Sequence, residues 1–129
     1  MKPTPLLALL LASVAFAAPE PKFRLQEIDK VEIGYGLAIA DVDGDGKPDI
    51  VLADKSTVQW YQNPTWKKHV IATNLTKEDN VCVAAQDIDG DGKAEIAIGA
   101  GWNPSDTVKS GAVFYLIPPA DRTQKWEAV

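Results

Sequence analysis

The sequence predicts an all-β chain: about two four-stranded antiparallel blades of a partial β-propeller, placed after an N-terminal signal peptide. Three observations carry this. A segment occurs twice with a spacing of 46 residues, setting Asp41 opposite Asp87. The apolar runs are short and bounded by Gly, Pro, Asn and Asp, as strands between turns are. No stretch repeats its apolar residues at the spacing of an amphipathic helix.

The elements follow in order. Met1-Lys2 gives a basic start, Leu6 to Phe16 an apolar run, and Ala15-Phe16-Ala17 the small residues a signal peptidase reads. Residues 1–17 are therefore expected to be a signal peptide, cleaved after Ala17, and residues 18–129 the repeat region. The apolar run is too short to span a bilayer. Phe23–Ile28 reads as an isolated copy of the last strand of a blade. The first blade is expected over about 30–72, with strands at Leu37–Ala40, Ile50–Ala53, Thr57–Tyr61 and Lys67–Ile71. The second is expected over 73–129, with strands at Val83–Ala85, Ile96–Ile98, Gly111–Tyr115 and Lys125–Val129, Thr57–Tyr61 matching Gly111–Tyr115 and Lys67–Ile71 matching Lys125–Val129 residue by residue. The first two strands of each blade are apolar on both faces and should be covered on both sides. The last two mix apolar with charged residues and should be more exposed. Propellers close with four to eight blades, so two blades need others, from a longer chain or from another copy.

The charge balance excludes some partners. There are 13 Lys and Arg against 18 Asp and Glu, a net charge of −5, and no basic patch of the kind that binds nucleic acid. After the leader no second hydrophobic stretch appears, so no membrane span is expected. Cys82 is the single cysteine, which excludes an internal disulfide. It lies in the apolar run Val81–Ala85 and is expected to be buried.

Eight of the acidic residues sit in two loops, Asp41-Val-Asp-Gly-Asp-Gly-Lys-Pro-Asp49 and Asp87-Ile-Asp-Gly-Asp-Gly-Lys-Ala-Glu95. Two like charges about 4 Å apart repel by about 4 kcal/mol at an effective dielectric near 20. A folded loop tolerates that crowding when a cation sits among the carboxylates. Oxygen donors at alternating positions suit a hard divalent ion, Ca²⁺ best of all. In the first loop the expected ligands are Asp41, Asp43, Asp45, the carbonyl of Lys47 and Asp49, with Gly46 making the bend. In the second they are Asp87, Asp89, Asp91, the carbonyl of Lys93 and Glu95. Glu95 is one methylene longer than Asp49, so the two sites should differ in geometry and affinity. An EF-hand needs an acid at position twelve and flanking helices. Those positions are Leu52 and Ile98, both inside expected strands.

With these loops in place, the chain resembles the FG-GAP/VCBS repeat family, whose calcium-binding blades also build integrin α-subunit propellers. Tyr35-Gly36 stands where the family has Phe-Gly, and Gly99-Ala100 stands near its Gly-Ala-Pro, with Gly101 replacing Pro. The first repeat has Leu52-Ala-Asp54 at the latter place, and the second lacks the Phe-Gly pair. The resemblance runs from about Phe23 to Val129. It implies a secreted or periplasmic, calcium-binding propeller module, structural or binding a protein or carbohydrate ligand.

Because both acidic loops join the first and second strands of a blade, they should share one rim. The other rim would carry Trp102, Asn103, Asp106 and Lys109, together with Lys77, Glu78, Asp79 and Asn80, as a candidate ligand face. No catalytic residue is assigned. His69, the single histidine, has no recognisable nucleophile partner, and is expected in a strand among polar neighbours. Trp60 and Trp126 are expected to pack between strands. The segments Gly101–Asp106 and Pro118–Arg122 are similar to propellers attached to sugar dehydratase/isomerase enzymes of the aldos-2-ulose type. That likeness implies the alternative, the N-terminal propeller part of a secreted carbohydrate-active lyase.

Overall fold

The computed structural model describes residues 20–106 and 108–129. The expected signal peptide lies outside them. The described residues form strands without any helix, in two sheets of four. The first sheet is β1 (Gly34–Ala40), β2 (Asp49–Asp54), β3 (Thr57–Gln62) and β4 (Lys67–Thr73). The second is β5 (Asp79–Gln86), β6 (Glu95–Trp102), β7 (Ala112–Ile117) and β8 (Glu127–Ala128). Each runs antiparallel in chain order, which short turns permit. This is a two-blade partial propeller.

Local chemistry sets the corners. Asp54 turns β2 into β3 by accepting hydrogen bonds from the N–H groups of Ser56 (3.0 Å) and Thr57 (2.7 Å). Asn74, at φ 52°, leaves the first sheet, and its N–H donates to the Ser56 carbonyl at 2.7 Å.

The blades stack through one shared core. β5 lies against β1 and β2, and Val51, Val58, Trp60 and Ile71 of the first sheet join Ile96, Ile98 and Leu116 of the second in a single buried cluster. Side chains alternate between the faces of a strand, so each sheet gives one face to this cluster and turns the other outward. Gly36 shows why a glycine is needed at the junction: a Cβ there would lie 2.9 Å from the Val83 nitrogen and 3.0 Å from Cys82 Cα. The long connection between β7 and β8 clasps the first blade. Trp126 donates its backbone N–H to the Ile71 carbonyl at 2.9 Å and is itself buried, as is Trp60.

Four expectations need correction. Phe23–Ile28 forms no strand, and Phe23 and Leu25 are 93% and 97% exposed; its backbone joins neither sheet, so it has no pairing to order it as a strand. The burial gradient holds only in part: β2 and β6 are largely covered and β7 and β8 more exposed, as expected. β1 and β5 alternate between exposed and half-covered residues, whereas β3 is buried over Val58–Tyr61, because the inner strands carry outward faces without a neighbouring blade. Cys82 is exposed for the same reason. Finally, the third and fourth strands align differently from the sequence match. Val51 pairs with Trp60 and Ala97 with Tyr115, so Trp60 corresponds to Tyr115, not to Phe114. Likewise Lys67 corresponds to Glu127, since they pair with Gln62 and Ile117. A one-residue slip moves a strand's side chains to the opposite face, which is why the correction matters for the outer faces.

A candidate metal centre at two adjoining loops

Both acidic loops leave the same rim, and they touch. The Ala94 N–H donates to the Asp41 carbonyl at 2.7 Å, and the Lys93 side chain lies over Gly44, where a Cβ would meet it at 2.8 Å.

Within each loop the same hydrogen bonds recur 46 residues apart. Asp41 accepts from the N–H groups of Gly44 and Gly46, both at 2.7 Å; Asp87 accepts from Gly90 at 2.7 Å and Gly92 at 2.9 Å. Asp43 accepts from Asp45, and Asp89 from Asp91. Asp45 and Asp91 accept from Lys47 and Lys93 in turn. This curl needs two left-handed residues per loop. Gly44 and Gly46 stand at φ 81° and 80°, and Gly90 and Gly92 at 83° and 85°. The sequence reading identified the role of Gly46 and missed that of Gly44; its signal was the Gly-x-Gly spacing of both loops.

The curl turns carboxylates inward. Oxygens of Asp41, Asp43 and Asp45 lie within 4.8 Å of one another, and so do those of Asp87, Asp89 and Glu95. Three carboxylates at that spacing form an all-oxygen donor set, and its convergence fits a hard cation.

The fourth acids differ. Asp49 is fully buried outside the first converging set. Its oxygens accept from the N–H groups of Val42 (2.9 Å) and Asn63 (2.8 Å), and burial pushes its carboxyl above the ordinary range. Glu95 keeps the equivalent bond, from Ile88 at 3.0 Å, yet belongs to the second set. Asp91 stands outside that set. The lysines differ as well. Lys47 turns back onto Asp45, with Nζ 2.6 Å from Oδ2, and this hydrogen bond holds the Asp45 carboxyl below its usual range. Lys93 stays 3.8 Å from Asp91.

Arg122 was not foreseen. Its guanidinium donates to the carbonyls of Val42 (3.2 Å) and Ala94 (2.7 Å), lies 3.4 Å from Glu95 Oε1, and rests over the Trp126 ring. One side chain thus ties both loops together. Nothing in the local sequence marks it, since its partners are 80 and 28 residues away.

At the other rim, Lys109 pairs with Glu78 at 2.6 Å, Tyr35 donates to Asp79 at 2.8 Å, and Tyr35 meets Trp102 edge-on. Asn80 is buried and donates to the Asp54 carbonyl, so it braces the turn. Lys77 is exposed in the bend before β5. A groove of about 580 Å³ is lined by Trp102, Asn103, Asp106 and Lys109, among others. His69 is buried, stacked on Trp60 with ring centroids 4.6 Å apart, and 3.4 Å from Gln62; among the described residues no nucleophile is bonded to it.

Comparison with known proteins agrees with this geometry. Residues 41–98 match the family model of the FG-GAP-like repeat, and residues 83–116 match that of the FG-GAP repeat. No curated protein and no solved structure matched the chain. These matches lend no support to the lyase alternative, nor to the finer likeness to VCBS or integrin blades. FG-GAP repeats often bind calcium and form propeller-like modules that mediate binding. Among the described residues no helix is long and apolar enough to cross a membrane. Through the continuous stretch 41–116, the chain belongs to the FG-GAP repeat family.

Proposed function

We propose that this is a secreted, non-catalytic binding module whose blades are stabilised by two Ca²⁺ ions on one rim, leaving the other rim for a protein or carbohydrate ligand. The observation that supports this most is the doubled carboxylate cluster, built twice by the same hydrogen bonds at equivalent positions of two blades. In this reading Asp41, Asp43, Asp45 and the Lys47 carbonyl hold the first ion. Asp87, Asp89, Glu95 and the Lys93 carbonyl hold the second, with Asp91 at its edge. Asp49 keeps the first loop closed through Val42 and Asn63. The ions supply charge compensation, not chemistry.

Extracellular modules commonly hold calcium with a Kd of about 10⁻⁴–10⁻³ M, well matched to the calcium outside cells. With calcium at ten times Kd, each site adds about 1.4 kcal/mol to stability. Thermal melts with and without EDTA, combined with calorimetric titration of the stripped chain, test this. The expected result is two equivalents bound and a Tm lowered by roughly 10 °C on chelation. An unchanged melt with no binding heat refutes the reading. The ligand rim is tested separately by titrating soluble oligosaccharides against wild type and Trp102→Ala; Trp102 is 44% exposed beside the groove.

A further inference from the structure

A line of polar side chains leads from the first carboxylate cluster into the first blade, and the second cluster has no counterpart to it. Asp43 accepts the Asp45 N–H on Oδ1 and the Gln62 amide on Oδ2, the latter at 2.6 Å. Each carboxylate oxygen has room for two partners, so both bonds leave Asp43 able to take a cation. Gln62 stands at the end of β3, half-buried. A carboxylate only accepts, so the Gln62 NH₂ faces Asp43 and its carbonyl oxygen faces away. That oxygen lies 3.4 Å from Nε2 of His69. It too only accepts, so His69 is the donor and carries a proton on Nε2. The bonds therefore run one way, from His69 to Gln62 to Asp43.

The surroundings of His69 suit this task. The ring is buried and stacked on Trp60, with the two planes 26° apart. Burial lowers its pKa below the ordinary value, so it is neutral at pH 7 and has a single proton to place between its two nitrogens.

The second blade keeps the backbone and changes these side chains. Gln62 pairs with Lys67 and Ile117 with Glu127, so Ile117 stands in the place of Gln62. His69 lies opposite Trp60, and Val129 is bonded to Tyr115, so Val129 stands in the place of His69. Neither side chain can donate a hydrogen bond. Among the described residues the Asp89 carboxylate accepts from the Asp91 N–H alone.

We infer that Gln62 and His69 are positioning residues of the first cation site: Gln62 holds the Asp43 carboxylate toward the cluster before an ion arrives, and His69 holds Gln62. This rests on the cation sites proposed above and makes them unequal, the first built in advance and the second not. A hydrogen-bond partner behind a ligating group governs metal affinity by roughly 10–100-fold. The Gln62 bond is short and the His69 contact long, so Gln62 carries more of the effect.

Calorimetric calcium titration of wild type, Gln62→Met, His69→Phe and the double variant tests this. Met keeps the length of Gln, and Phe keeps a ring against Trp60, while neither can make the bonds. An Asp89→Ala background isolates the first site and an Asp43→Ala background the second. Gln62→Met is expected to weaken the first site by about tenfold and to leave the second unchanged. His69→Phe is expected to weaken the first site a few-fold. The double variant should bind no more weakly than Gln62→Met, because His69 acts only through Gln62; a residue that merely packs adds its own loss. Nitrogen-15 spectra of the cation-free chain give a readout that needs no ion, and the His69 proton should sit on Nε2. Cation-free melts check folding; should His69→Phe unfold, Gln62→Met and the imidazole spectrum still decide. A first site untouched by Gln62→Met, additive losses in the double variant, or a proton on Nδ1 overturns the inference and leaves the cation reading standing. Wild type that binds no calcium in either loop overturns both.

Discussion

The two acidic loops share a backbone and differ in what surrounds it. Every bond from a carboxylate to a loop N–H is reproduced 46 residues on, and both pairs of glycines adopt the same φ. The first loop is closed by its own blade: Asn63 and Val42 hold Asp49, and Gln62 donates to Asp43 at 2.6 Å. The second loop is closed by Arg122, from the β7–β8 connection, on Ala94 and Glu95, and the same guanidinium reaches the Val42 carbonyl of the first loop. The curl is thus written locally, while the identity of the fourth acid depends on tertiary neighbours. A buried Asp49 serves as a structural acceptor; the longer Glu95 reaches both its structural bond and the cluster.

Arg122→Ala should break this arrangement most severely. The Arg122 side chain is 10% exposed and the Glu95 side chain 8% exposed. Removing one partner of so buried a pair costs about 3–5 kcal/mol, and two carbonyls lose their donor as well. Urea unfolding should show that loss with and without calcium. Calorimetry of what remains folded should show the second site weakened more than the first. Equal weakening of both sites would mean that Arg122 braces the rim as a whole.

Asp49→Asn and Glu95→Gln separate the structural acid from the one proposed to hold a cation. Asp49→Asn puts an NH₂ against two backbone donors, leaving one of them unsatisfied, at about 1–3 kcal/mol. Stability of the cation-free chain should fall, and the first site's affinity should change little at temperatures where the loop is folded. Glu95→Gln should lower affinity at the second site, the amide still accepting from Ile88, and should also cost stability by removing the charge paired with Arg122. If Asp49→Asn instead abolishes one binding event and spares the cation-free melt, Asp49 is a direct ligand and the contrast between the loops disappears.

Much of this was legible in the sequence because it is local. The alternation of Asp41, Asp43 and Asp45 with glycines, and the apolar runs beside them, gave the strands, the shared rim and the carboxylate clusters. What escaped notice depends on residues far apart in the chain. The third strand's register is fixed by pairing with β2, so Trp60 and Phe114 looked equivalent when Trp60 and Tyr115 are. Cys82 sits in a run as apolar as any buried strand, and only the position of the sheet within the stack leaves it uncovered. Phe23–Ile28 has strand-like composition, but composition cannot supply the edge it would need. Arg122 acts through carbonyls, and no sequence pattern announces a carbonyl's partner.

The smallest expected effect concerns the lysines, and it sharpens the comparison furthest. Lys47 holds Asp45 with Nζ at 2.6 Å, whereas Lys93 is 3.8 Å from Asp91 and lies over Gly44 instead. On the proposed ligand set, a cation entering the first loop must displace the Lys47 ammonium from an Asp45 oxygen; in the second loop no such bond stands in the way. Exposed pairs of this kind contribute little to stability. Lys47→Ala should therefore tighten the first site by a few-fold, with little change in the stability of the cation-free chain. Lys93→Ala should leave the second site's affinity near its original value, while loosening the contact with Gly44. Calorimetric titration of both variants in one buffer reads the difference directly. If Lys93→Ala tightens binding as much as Lys47→Ala does, the lysines act through their charge alone, and the short contact with Asp45 has no special weight.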